Sequence, residues 1–145
     1  MKNVTPSLVV SNMRESIRFY QDALGFEETY SMPGPDGELV HASIKNGSVE
    51  LMLGPAGFSG EPFTGEVGKG VSLYLGVAGT DDIDLLFERA KRSGARVIQE
   101  PHDEFWGDRI WSVADPDGYE LVIAKHVRDV TAEEMAQLMQ TTVPA

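Results

Sequence analysis

The sequence contains no cysteine. That excludes disulfides, thiolate-held metals, iron–sulfur clusters and a cysteine nucleophile. Basic residues are scarce: 12 Lys+Arg stand against 23 Asp+Glu, a formal net charge of −11. Binding to nucleic acid or to an anionic membrane surface needs a cationic face, which this balance does not favour. A negative field would instead draw in a cationic small ligand, although solubility alone also accounts for the charge. No apolar run approaches the roughly 18 residues that suggest a membrane-crossing helix. The opening MKNVTPSLVV is too short and too polar for a secretory signal, so the expected location is the cytoplasm. There is no G-x-S-x-G elbow, no phosphate-binding loop and no H-E-x-x-H pair. What is present is an ordinary globular composition, 41% hydrophobic and 24% charged over 145 residues. That length predicts one domain, able to bury roughly two-thirds of the surface its unfolded chain exposes.

The chain repeats itself. SLVV at Ser7–Val10 returns as SLYL at Ser72–Leu75, and VELML at Val49–Leu53 returns as YELVI at Tyr119–Ile123. Between them each half keeps one order: strand, helix, strand and hairpin. In the first half a strand is expected near Thr5–Val10. Asn12 and Glu15 then form a capping box before the apolar face Met13, Ile17, Tyr20 and Leu24, and Gly25 stops the helix. A strand near Glu27–Ser31 precedes a hairpin of Leu39–Ile44 and Val49–Leu53, turning at Asn46-Gly47. In the second half the strand is Val71–Val77. A helix starts near Thr80 and Asp81, buries Ile83, Leu86, Phe87 and Ala90, and ends at Gly94. Ala95–Gln99 follows, and then a hairpin of Arg109–Ala114 and Tyr119–Ala124 turns at Asp115–Gly118. The domain thus divides into unit one (about 4–54), a Gly/Pro-rich linker (55–70) expected to be mobile, unit two (about 71–126) and a tail (127–145). A short helix in the tail, Ala132–Met139, is capped by Thr131 with Glu134 in the box position. The fold class is α+β: two βαβββ units forming a curved mixed sheet around a cleft. One helix covers only one face of its sheet, so the other faces are free to line a ligand site.

This repeat, with the opening SLVVSNMRESIRFYQDALGF and the ending DPDGYELVIA, resembles the vicinal oxygen chelate superfamily of glyoxalase I, extradiol dioxygenases, methylmalonyl-CoA epimerase and bleomycin resistance proteins. VTPSLVV, VHASIKNG and EFWGDR (Glu104–Arg109) look most like its PhnB-like branch. The resemblance covers about Val4 to His126. It implies the fold above and a homodimer, while the fold itself hosts several chemistries. The enzymes of the superfamily hold a divalent metal with His, Gln or Glu on the first and fourth strands of each unit. Those slots carry over to Thr5 and Ser72 on the first strands, and to Met52 and Val122 on the fourth. None is a usual ligand, so no metal cofactor is expected. Glu50 and Glu120 lie two residues earlier on the same strand faces, and Glu50 is the weak metal candidate.

The candidate ligand contacts are His41, Met52, Ser72, Tyr74, Trp106, Arg109 and Glu120. With Asn46-Gly47 as a two-residue turn, His41 faces Met52, beside the empty slot. It is either a ligand contact or a catalytic general base, or a hydrogen-bonded structural histidine. Tyr74 shares the face of Ser72. Trp106-Gly107 followed by Arg109 resembles the stretch with which bleomycin resistance proteins stack a Trp on flat heteroaromatic rings. The alternative is that Trp106 packs under its own loop and Arg109 pairs with Asp103, Glu104 or Asp108. Trp111 lines the cleft or the core according to the register of the last hairpin, the core being the reading taken. His102 and His126 are expected to be solvated. Two functions follow. One is metal-independent binding or sequestration of a small, partly aromatic and possibly cationic molecule. The other is a glyoxalase-like lyase or isomerase with a non-standard or absent metal site.

Overall fold

The computed structural model of the chain describes residues 1–57 and 65–142, without the side chains of 141 and 142. The order is β1 (Ser7–Val9), α1 (Met13–Leu24), β2 (Glu27–Pro33), β3 (Leu39–Asn46), β4 (Val49–Gly54), β5 (Ser72–Gly76), α2 (Ile83–Arg92), β6 (Arg96–Asp103), β7 (Asp108–Ala114), β8 (Glu120–His126) and α3 (Ala132–Thr142). Strands β1-β4-β3-β2 form one mixed sheet and β5-β8-β7-β6 the other, with identical connectivity. The fold is therefore α+β with two βαβββ units.

Local chemistry sets the helix ends. Asn12 accepts the Glu15 N–H at 3.0 Å, and Gly25, at φ 73°, closes α1 in the left-handed conformation. The cap of α2 is Asp82, one residue beyond the expected Thr80–Asp81, because its carboxylate reaches both Asp84 N (3.0 Å) and Leu85 N (3.2 Å). Thr131 caps α3 through Glu134 N at 3.1 Å. Strand β6 runs on past the expected end at Gln99, through Pro101 to Asp103. It is an edge strand with a register shift between Gln99 and His102, where a residue without an N–H costs no ladder bond.

The first hairpin turns at Gly47-Ser48 rather than Asn46-Gly47, since Asn46 pairs with Val49 in the ladder. Asn46 instead spends its side-chain amide on the Leu24 carbonyl, tying the hairpin to the end of α1 at 2.9 Å. The register therefore moves by two residues. Ser43, not His41, lies opposite Met52. Both keep the same face, because the side-chain period is two. The ladders also realign the repeat. Ser7 lies beside Met52 and Tyr74 beside Val122, so Ser7 is the counterpart of Tyr74, not of Ser72.

The helix-covered faces of both sheets enter one core. Ile17, Tyr20, Ala42, Ile44, Leu51 and Leu53 from unit one join Phe87, Trp111, Val113, Leu121 and Ile123 from unit two. Polar ties cross the same boundary. Buried Tyr20 donates to Asp115 Oδ2 at 2.9 Å, Tyr119 donates to the Val9 carbonyl at 2.9 Å, and Ser11 donates to Asp117. From α2, Arg89 caps the end of α1 through the Gln21 and Asp22 carbonyls. Of the linker expected over 55–70, residues 58–64 lie outside the described residues. Its end is anchored rather than free: Val67 packs on the core, and a Cβ on Gly68 would lie 2.1 Å from the Asp117 carbonyl oxygen.

Burial pushes the Asp115 carboxyl above its usual range, while the Tyr20 phenol and the Tyr119 and Asp117 N–H groups hold it back. Tyr20→Phe leaves that buried carboxylate short of a donor and is expected to cost about 1–3 kcal/mol at neutral pH. A raised folded-state carboxyl opposes folding only while ionised. The cost should therefore shrink as pH falls through the Asp115 value. Urea unfolding at neutral and acid pH measures both; an unchanged midpoint at neutral pH would contradict the linkage.

Candidate functional site

Each sheet keeps one face away from the shared core, and the ladders place its side chains in rows. On the first sheet Tyr30, Ser43, Met52 and Ser7 lie side by side across four strands. His41 sits in the adjoining row, opposite Met32, and its Nε2 lies 3.0 Å from Ser43 Oγ. The Tyr30 ring stands 6.0 Å from the His41 ring. Glu50 is on this face, directly opposite Lys45. On the second sheet Tyr74, Val122, Ser112 and Gln99 form the matching row. Ser72 lies beside Glu120, whose Oε2 accepts from buried Ser112 Oγ at 3.1 Å.

At one end of the second face the β6–β7 turn carries Trp106 over the sheet. Its indole Nε1 donates to Tyr74 Oη at 3.0 Å, and Tyr74 donates to Asp108 Oδ2 at 2.6 Å. Asp108 Oδ1 lies 3.1 Å from His126 Nδ1, and His126 Nε2 lies 2.7 Å from Asp129 Oδ1. Partial burial pushes the Asp108 carboxyl up, but the Tyr74 and His126 hydrogen bonds outweigh it, so the group sits below its usual range. Burial and the Asp108 bond hold the Tyr74 phenol protonated. His102, on the same face, is raised by the Glu100 carbonyl and the Glu104 carboxylate, each 2.7 Å from a ring nitrogen. Neither His102 nor His126 is simply solvated. Sequence reading missed this cluster; His126 continues the 120, 122, 124 alternation, and Asp129 follows three residues later.

The structure brings Trp106 and Tyr74 together, and Ser72 beside Glu120. It does not bring Arg109 to them. Arg109 projects to the helix-covered side, where it pairs with Asp84 of α2 and with Asp103, each at 3.0 Å. The strand alternation requires this, since Asp108 and Ile110 occupy the open side. Trp111, on the same side as Arg109, is 1% exposed and donates to the Ile83 carbonyl at 2.9 Å. His41, Glu50 and Met52 lie on the other sheet. No strand of one sheet pairs with the other among the described residues, and both sheets turn their other faces into the shared core. Two cavities lie at the junction of the two units. One of about 530 Å³ is lined by Leu24, Phe26, Val49, Leu75 and Arg89, and one of about 660 Å³ by Phe19, Asp22 and Pro116.

The positions that the resemblance assigns to the superfamily's metal ligands carry two hydroxyls (Thr5, Ser72), a thioether (Met52) and an alkyl group (Val122). Among the described residues no three His, Cys, Asp or Glu side chains gather around a point an ion could occupy. This donor set does not fit a divalent metal held in the superfamily's manner.

Residues 3–123 match the sequence model of the Glyoxalase/Bleomycin resistance protein/Dioxygenase superfamily. The chain belongs to that superfamily. It is similar to an uncharacterized protein of Mycobacterium bovis, 34% identical over 143 residues, covering 95% of this chain and 92% of the relative. Among solved structures it resembles TioX from Micromonospora sp. ML1, with TM-score 0.67, 23% identity, and 88% and 100% of the two chains covered. It also resembles a glyoxalase/bleomycin resistance protein/dioxygenase from Nocardioides, with TM-score 0.69, 23% identity, and 91% and 88% covered. These likenesses reach the superfamily and its fold, not a particular branch. No helix among the described residues is long and apolar enough to cross a membrane.

Gly107 holds the Trp106 turn at φ 100°, where a Cβ would lie 2.1 Å from the Arg128 carbonyl oxygen. Gly107→Ala is expected to lower stability by about 1–3 kcal/mol and to release the indole from Tyr74. Denaturant unfolding and acrylamide quenching of tryptophan emission check this; wild-type values in both would contradict it.

Proposed function

We propose that the protein is a metal-independent binder of a small, partly aromatic molecule, and that a homodimer completes the site by setting the open face of one unit against the open face of the other unit from a second copy. The observation that carries the reading is the Trp106–Tyr74–Asp108 arrangement: a half-buried indole surface, fixed through its N–H beside an anionic carboxylate, with the Phe105 ring set edge-to-face against it at 5.0 Å. Such a surface suits stacking against a planar ring, and a positive charge on that ring adds a cation–π contribution. Tyr30 and Tyr74 are more than half exposed on these two faces. Aromatic area of that kind on open faces favours a partner or a ligand. His41 and Met52 then form the opposite wall, with Ser72 and Glu120 at the floor of the second face.

Binding is carried forward rather than turnover because His41 is placed against a serine hydroxyl, with no carboxylate orienting its ring among the described hydrogen bonds. A general base is ordinarily held by such a third group. The supports for metal independence are the chemistry of the four slots and the opposition of Glu50 to Lys45.

Sedimentation equilibrium should give a dimer. Fluorescence titration with bleomycin and with a panel of planar aromatic cations should reveal a saturable ligand. Trp106→Ala should weaken that ligand at least ~10-fold, a loss of about 1.4 kcal/mol, without altering the unfolding midpoint. Equal affinity in the variant would remove the stacking surface from the account, and a monomer would remove the shared site.

A further inference from the structure

His126 lies between two carboxylates, one on each ring nitrogen: Asp108 Oδ1 at 3.1 Å from Nδ1, and Asp129 Oδ1 at 2.7 Å from Nε2. A carboxylate is acceptor-only, so both contacts are hydrogen bonds only if both ring nitrogens carry hydrogen. A neutral ring keeps one N–H and must turn a lone pair toward the other carboxylate. The same Asp108 takes the Tyr74 phenol, which in turn takes the Trp106 indole N–H. A second link runs through the backbone. Val127 N and Arg128 N, next to His126, both donate to the Gly107 carbonyl, at 2.9 and 3.1 Å. Asp129 thus closes a ring of contacts around the segment that carries the indole.

We infer that His126 is a positioning residue: its imidazolium, clamped by Asp108 and Asp129, holds the Tyr74–Asp108 pair and the Gly107 turn from which Trp106 presents its ring, so that the aromatic surface is firmly set when His126 is protonated and loosens when it is not. The inference rests on the reading of Trp106 as the ligand-contact surface, and it adds the regulation of that surface by protons.

The other charged groups do not supply this behaviour. Tyr74 is held protonated, and Asp108 is held ionised. Glu104, which also faces Tyr74, is paired with His102 at 2.7 Å. Arg109 and Lys125 point to the opposite side of the sheet, toward Asp84, Asp103 and the Asp81 carbonyl. Arg128 lies 4.0 Å from Glu134. His126 is raised above its ordinary 6.5 by Asp129 first and Asp108 second. A group raised on folding contributes its contact fully below 6.5 and loses it as pH rises through the higher folded value. His102 is the one other histidine of the region and is also raised, so it must be separated by experiment.

The test needs no ligand, so its failure is distinguishable from failure of the binding proposal. The two indole N–H resonances of the ¹⁵N-labelled protein are followed from about pH 5 to about pH 9, alongside the histidine ring resonances. Trp106→Phe assigns the peaks. The Trp106 resonance is expected to shift with the midpoint of His126, while Trp111 stays still. His126→Gln should abolish that titration with the Trp111 peak in place, and His102→Gln should leave it unchanged. Asp129→Asn, which keeps the ring, should lower the His126 and Trp106 midpoints together. A Trp106 resonance that stays flat while His126 titrates, or that still titrates in His126→Gln, would overturn the proposal. So would Asp129→Asn moving the His126 midpoint alone.

Discussion

The structure depends on one shared core. Each βαβββ unit has a single helix and a two-faced sheet, so neither can cover itself. The units resolve this by joining their helix-covered faces, with α1 against α2 and with Tyr20, Trp111, Leu53 and Leu121 in one apolar cluster. The Tyr20–Asp115 bond and the Arg89 cap on α1 add polar ties between the units. Everything functional follows from what this leaves over. Two open faces remain, one per unit, and they carry His41, Ser43 and Met52 on one side and Tyr74, Ser112, Glu120 and Trp106 on the other.

How much of this could be read from the sequence depended on range. The caps at Asn12 and Thr131 were legible because a short polar side chain and the N–H it serves lie three residues apart. The hairpin turn was missed by one residue because Asn46 has a distant partner, the Leu24 carbonyl, that no local rule reveals. The Asn-Gly signal was real but shifted, with Gly47 taking the positive φ of 58°. Strand β6 was expected to end at Gln99 and runs to Asp103, because the edge position that tolerates Pro101 is a property of the whole sheet. The repeat SLVV/SLYL aligned by letters, whereas the ladders align the units two residues differently. Arg109 was grouped with Trp106 on resemblance, against the alternation that sends it to α2.

The open face of the second unit shows how polar residues can hold an aromatic surface steady. The indole N–H, the phenol, the carboxylate and the imidazole each have a partner, so the ring can be exposed without leaving an unpaired polar group. The position of Asp108 at the start of β7 places it within reach of both β5 and the end of β8. Met52 and Val122, two of the four positions that the resemblance assigns to metal ligands, lie in the rows of Ser43 and Ser112 on these faces; a thioether and an alkyl side chain there suit contact with an apolar or aromatic group better than coordination of a cation.

The claim that this member works without a metal can be met directly. Chelator-treated protein is titrated calorimetrically with nickel, zinc, manganese and magnesium ions, and the protein as purified is analysed for bound metal. The account predicts no stoichiometric binding in the micromolar range and no retained metal. Stoichiometric micromolar binding that is lost on Glu50→Gln or His41→Ala would contradict it, and would return the open faces to the metal-dependent chemistry of the superfamily's enzymes.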